Sequence, residues 1–280
     1  MIDFVYGLLA AFCSGASDTV SKLSISEAGR YKSLLYGYFV IVLLLASGFF
    51  FLRPSFVIDI SLLPFFLVQI IIGAVAVAAL FKAFEQGRAS ILAPLSTLYA
   101  LVVIGFGAVF LNEHLSLIQL FGGLLVLSSS LILAVENRKG FRLEAGVPYL
   151  VLTILGWGYY YTFLKLFLPT LGPYTATLFT EAGITIVILG YCIFRKKDIS
   201  VPVGAEWRGI LGRGVIIFFS ALLYTYSMEA IGAAITSMIV AASPLFAIVL
   251  SHFILNERLD AYKYAAVATI MIGLFLIFSA

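Results

Sequence analysis

Phe84–Leu115 reads FEQGRASILAPLSTLYALVVIGFGAVFLNEHL, and Met228–Leu259 reads MEAIGAAITSMIVAASPLFAIVLSHFILNERL. The two stretches align without a gap at an offset of 144, with Glu257 against Glu113. Glu85/Glu229, Ala89/Ala233, Ile91/Ile235, Leu101/Leu245, Leu111/Leu255, Asn112/Asn256, Glu113/Glu257 and Leu115/Leu259 are identical. A doubled membrane unit is the plan of many secondary transporters, which place the substrate site at the repeat interface.

Working outward, the repeat widens. Gly15-x-x-x-Thr19-x-x-Lys22-Leu23 matches Gly158-x-x-x-Thr162-x-x-Lys165-Leu166 at an offset of 143, and the spans that follow end in Arg53 and Arg195. The 280 residues are 62% hydrophobic and 11% charged. Soluble domains average about 25% charge, so an ordinary globular protein is excluded. A span needs roughly 20 apolar residues, and ten segments fit: about 4–22, 33–52, 61–81, 90–111, 116–135, 147–167, 174–194, 209–228, 234–254 and 261–279. Lipid leaves no partner for an open sheet edge, and the runs are continuous, not alternating, which favours helices over barrel strands. The expectation is an all-α membrane protein of ten transmembrane helices in two five-helix repeats, 1–140 and 141–280. Five is odd, so the second half inserts upside down, giving an inverted repeat about an axis in the membrane plane.

Ten spans in two halves, a small-residue-rich fourth span and the paired L-N-E-x-L endings at Leu111–Leu115 and Leu255–Leu259 resemble the EamA-type carriers of the drug/metabolite transporter superfamily. The resemblance implies alternating-access transport of a small organic metabolite, often an amino acid or related compound, and does not name the solute. Export is the expected direction, in a plasma-membrane protein working as a monomer, with protons or solute exchange as the driving force. A multidrug or cation carrier, or a lipid-linked-sugar carrier, is the alternative. The first span also resembles that of the small multidrug carriers, but their membrane glutamate is matched here by Ser14, and in the second half by Trp157.

Loop charge gives an orientation. One membrane boundary carries Arg53 alone. The other carries Arg30, Lys32, Arg88, Arg138, Lys139, Arg142, Arg195, Lys196, Lys197, Arg208, Arg213, Arg258 and Lys263. Basic residues mark cytoplasmic loops, which places both termini outside; the family resemblance implies termini in the cytoplasm.

Ionisable residues inside spans mark function by default. Asp18 in span one is either a cation or proton site facing a central cavity or an i,i+4 partner for Lys22. Glu181 lies about seven residues into span seven, near 10 Å deep at about 1.5 Å per residue. With no lysine or arginine within four residues, it is the candidate proton carrier. Lys22 and Lys165 are symmetric candidates for a substrate anion, against the commoner reading that they snorkel. Tyr99, Trp157, Tyr160, Tyr161 and Tyr224 lie inside spans and are candidate cavity-lining groups. Tyr159–Tyr161 cannot all face one way on a helix, so at most two of them line it. Lys82 and Glu85 read as an interfacial ion pair, and Glu113 and Glu257 as caps or braces for the following helix, beside turns at Asn112 and Asn256. Pro94 lies close to a helix start, whereas Pro244 is expected to kink span nine.

No G-x-x-x-x-G-K-[ST] phosphate loop and no Cys/His ligand spacing is present, so no cofactor, metal or nucleic-acid partner is expected. A membrane-embedded enzyme is the more distant alternative, because a catalytic site would need a nucleophile with a base.

Overall fold

The computed structural model describes residues 2–54, 56–57, 59–134, 145–255 and 261–279. These form twelve α-helices and two single 3₁₀ turns, with no strand among the described residues. In chain order they are α1 Ile2–Ala28, α2 Arg30–Leu52, α3 Leu63–Gln86, α4 Ala89–Ser96, α5 Tyr99–Phe110 and α6 Leu117–Ala134. The second set is α7 Val147–Leu164, α8 Leu168–Phe194, α9 Glu206–Ile231, α10 Ala233–Val240, α11 Ser243–Leu255 and α12 Ala261–Ser279. By length and composition, seven helical stretches among the described residues can cross a membrane, one of them being the 48-residue run Val147–Phe194. That run holds two helices, α7 and α8. The helix α6 is shorter but apolar. Asn256, Glu257, Arg258 and Leu259 of the second signature lie outside the described residues, as do Arg138, Lys139, Arg142 and the 140/141 repeat boundary.

The repeat offset reappears in the backbone. Gly29 separates α1 from α2 at φ 76°, ψ 162°, and Gly172 kinks the start of α8 at φ 69°, ψ 162°. A side chain disfavours this region, so glycine is the residue that lets the chain turn there. The two glycines are 143 positions apart, like the motifs before them. Pro173 follows the kink and restarts the helix where its missing N–H costs nothing.

The interrupted helices carry the same symmetry. α4 gives way to α5 at Thr97–Leu98, and α10 to α11 at Ala241–Ala242. Leu98 N–H bonds to the Leu95 carbonyl and Ala100 N–H to that of Thr97; Ala242 bonds to Ile239 and Leu245 to Ala242. These are the three-back bonds of a 3₁₀ segment, which often marks a hinge within a helix. The kink expected at Pro244 is therefore present, with Pro244 in the first turn of α11 and the Val240 carbonyl deprived of its four-ahead donor. Span four is broken as well, at Thr97–Leu98 and not at Pro94. The cause is not that proline, whose missing N–H falls against Ser90, a turn before the break.

Helix pairings are exchanged between the halves. α1 packs on α9, and its counterpart α7 packs on α3; α11 packs on α1, and α5 on α7; α2 pairs with α8, and α6 with α12. Small residues set these approaches. A Cβ on Gly156 of α7 would lie 2.7 Å from the Ala76 methyl of α3. On α6 and α12, Cβ atoms at Gly122 and Gly273 would each meet the other's carbonyl, at 2.7 and 2.6 Å. Without a hydrophobic force between helices in lipid, such close backbone packing supplies the association.

Candidate functional site

Helical spacing turns one face of several helices toward a shared centre. On α1, Ser14, Ser17, Asp18 and Ser21 recur at i, i+3, i+4 and i+7, one polar stripe at the 3.6-residue period. On α7, Trp157, Tyr160 and Tyr161 follow the same spacing; on α9, Arg213, Ser220 and Tyr224 do. All of these line one cavity of about 100 Å³, together with Tyr38, Ser96, Thr97, Tyr99, Glu181 and Ser243. Both broken helices therefore end at the cavity wall.

Tyr99, Trp157, Tyr160, Tyr161 and Tyr224, the aromatic residues expected to line a cavity, are all here. Tyr161 stacks on Tyr224 with ring centroids 4.2 Å apart, and Tyr99 meets Tyr161 at 5.2 Å and Trp157 edge-on at 5.8 Å. Tyr224 shares a 2.6 Å hydrogen bond with Ser237, and Ser14 a 2.8 Å bond with Ser220. Of the tyrosine triplet, Tyr160 and Tyr161 line the cavity, while Tyr159 packs on Phe163. Asp18 and Glu181 enter from α1 and α8. Asp18 does not bond to Lys22 among the described residues, and α1 continues ten residues past it to Ala28, so it lies deeper than a span end. It also lines a second cavity of about 320 Å³ with Lys22, Pro94, Pro244 and Lys263.

Lys22 and Lys165 lie outside the central cavity lining. Lys22 donates to the carbonyls of Phe84 and Gly87 at the end of α3. Lys165 pairs with Glu113. The Glu113 carboxylate in turn accepts from Ala233 N–H and Ala234 N–H, each at 2.8 Å. It thus caps α10 of the opposite half. The expectation that it braces its own following helix is corrected: α6 is capped instead by Ser116 and Gln119, each side chain accepting from the other's backbone N–H. Asn112 does make the turn, at φ 52°, and Lys82 bonds Glu85 at 2.7 Å.

Arg213 is the residue the sequence reading placed wrongly. Counted among the loop charges, it is 2% exposed and lines the central cavity from α9. It lies two turns inside a helix that begins at Glu206. Its register with Ser220 and Tyr224 was the available signal, because residues seven and eleven apart share a helix face. The loop-charge bias stands without it.

The cavity thus sits between two sets of helices related by the repeat. The EamA-like transporter family pattern matches residues 1–135 and, a second time, residues 144–279. This chain belongs to the EamA-like transporter family. EamA proteins are members of the drug/metabolite transporter superfamily, so the chain is a multi-spanning membrane protein of that superfamily. Among the relatives of this EamA protein, an uncharacterized transporter of Buchnera aphidicola subsp. Schizaphis graminum is 26% identical over 131 residues, 45% of this chain and 42% of that protein. The match thus spans less than half of that relative's length. An uncharacterized protein of Methanocaldococcus jannaschii is 23% identical over 133 residues, 48% of this chain and 96% of its own; it is about as long as one half of the EamA chain here. A solved crystal structure superposes with a TM-score of 0.80 at 15% identity, covering 98% of this chain and 95% of its own. That likeness shows the fold.

Proposed function

We propose that this EamA-like chain is a secondary active transporter that exports a small organic metabolite, an amino acid or related compound, by alternating access. The observation that carries the reading is the central cavity: carboxylates, aromatic rings and hydroxyls from both halves converge on it, at the interface where carriers of this build bind their solutes. Reading α4–α5 and α10–α11 as one interrupted crossing each gives ten crossings, in repeats 1–140 and 141–280. The reciprocal helix pairings support a two-fold exchange of the halves, and five crossings per half put that axis in the membrane plane.

In this mechanism the solute sits among Asp18, Tyr99, Trp157, Tyr160, Tyr161 and Tyr224. The 3₁₀ breaks let α4 and α10 tilt against α5 and α11, opening the cavity to one side at a time. The second cavity, which shares Asp18, is the vestibule on one side. Glu181, buried and with Oε2 lacking a partner, takes up a proton on one side and gives it up on the other. The protein works as a monomer in the plasma membrane. Transport into liposomes tests the reading: purified protein should mediate counterflow of at least one solute from a panel of amino acids, amines, nucleobases and sugars. Failure with every solute, alongside cleavage or modification of a lipid-like substrate, would replace it with the enzyme class.

A further inference from the structure

An arginine in the membrane interior is costly unless something answers its charge. Arg213 is buried to 2% exposure, yet no ion pair joins it to an acid among the described residues. Its position is nonetheless built. Nε donates to Ser21 Oγ at 3.1 Å. The guanidinium carbon lies 4.5 Å from the Phe81 ring centroid and 5.3 Å from that of Tyr38. A Cβ on residue 37 would come within 2.6 Å of Nη1, so Gly37 keeps the room the guanidinium occupies. With the head group oriented by these neighbours, Nη1 has no hydrogen-bond partner. Glu181 Oε2, in the lining of the same cavity, has none either.

A purely internal counter-ion would close onto a carboxylate. Here a donor on Arg213 and an acceptor on Glu181 are instead left unpaired, on two residues that line one cavity. We infer that Arg213 holds the carboxylate of the transported solute, with the solute's ammonium group turned toward Glu181 and Asp18. The inference rests on the carrier reading and deepens it: the solute is a compact zwitterion, and Arg213 is the residue that selects its anionic end. A guanidinium suits that task because its planar fork matches a carboxylate, whereas a lysine offers only a point charge.

The test is counterflow by the full chain in liposomes, using solutes that differ by one charged group: L-serine against ethanolamine and glycerate, and L-phenylalanine against phenethylamine and 3-phenylpropionate. In at least one set, the intact amino acid should exchange on the order of tenfold faster than either partial analogue. Arg213→Gln should cut amino-acid exchange by on the order of tenfold and bring it level with the amine, while Arg213→Lys restores it only in part. If Arg213→Gln is recovered unfolded, the acid-to-amine ratio of Arg213→Lys serves in its place and should fall by several-fold. Amines carried as fast as amino acids, or a ratio unmoved in both variants, would overturn the assignment of Arg213 and leave the carrier reading standing. No counterflow of any solute by the unmodified protein would remove the carrier reading itself.

Discussion

Replacing Glu113 tests what the signature glutamate does. Its carboxylate accepts two backbone N–H bonds of 2.8 Å at the start of α10 and pairs with Lys165. Its side chain is 12% exposed and that of Lys165 31%, so the ion pair is partly screened and contributes about 1 kcal/mol or less. The two N–H bonds are the helix cap, whose loss costs about 0.5–2 kcal/mol, and a charged acceptor puts it at the upper end, hydrogen bonds to a charged group contributing a net of about 1.5–3 kcal/mol. Together these give roughly 2–4 kcal/mol for Glu113→Ala, against about 1 kcal/mol for Glu113→Gln, which keeps one acceptor oxygen. At about 2–4 °C per kcal/mol for a chain of this order of size, the alanine variant should unfold roughly 4–16 °C lower. Thermal unfolding in detergent, followed by reaction of a thiol dye with the buried Cys192, reads the shift. Lys165→Met should cost about 1 kcal/mol or less, and the double variant should fall short of the sum, since both residues belong to one cluster. A Glu113→Ala protein that unfolds within about 1 °C of the unmodified chain would refute the clip between the halves.

Three further outcomes follow. Glu181→Gln keeps shape and hydrogen bonding but removes titration, so proton-driven accumulation should vanish while solute exchange persists; a variant transporting with unaltered pH dependence makes Glu181 structural. Asp18→Asn should weaken solute binding by on the order of tenfold, read as a raised half-saturation concentration in counterflow, and an unchanged value removes Asp18 from the solute site. A Cβ at residue 73 would lie 2.8 Å from the Tyr160 ring and 3.1 Å from Ile184, so Gly73→Leu should abolish transport; full activity would move the solute path away from this wall.

Much of the architecture was legible in the chain because a repeat leaves identities at a fixed offset, and lipid enforces long apolar runs. Asp18 and Glu181 stood out because a carboxylate in such a run is conspicuous. The aromatic residues of α7 were sorted by helical spacing alone. Arg213 was missed because an arginine four residues into a predicted span reads as an interfacial cation; only its register with Ser220 and Tyr224, and the serine stripe of α1 facing it, reveal a polar interior. The partner of Glu113 was not legible at all. It lies 120 residues away in the opposite half, and nothing local in L-N-E-H-L distinguishes capping α6 from capping α10. The break in α4–α5 was hidden for a similar reason: its proline does not sit at the break, and the interruption follows the tertiary symmetry with α10–α11.

The central claim is that one cavity opens in turn to both sides of the membrane. Ser243 lines that cavity where α11 begins and is 4% exposed. With Cys13 and Cys192 replaced by serine, a single cysteine at 243 can be challenged by a small membrane-impermeant thiol reagent applied to one face or the other of sealed proteoliposomes of known orientation. Alternating access predicts labelling from each face, and transported solute should slow both reactions. Labelling from one face alone, whatever solute is present, would describe a one-sided pocket and contradict the account.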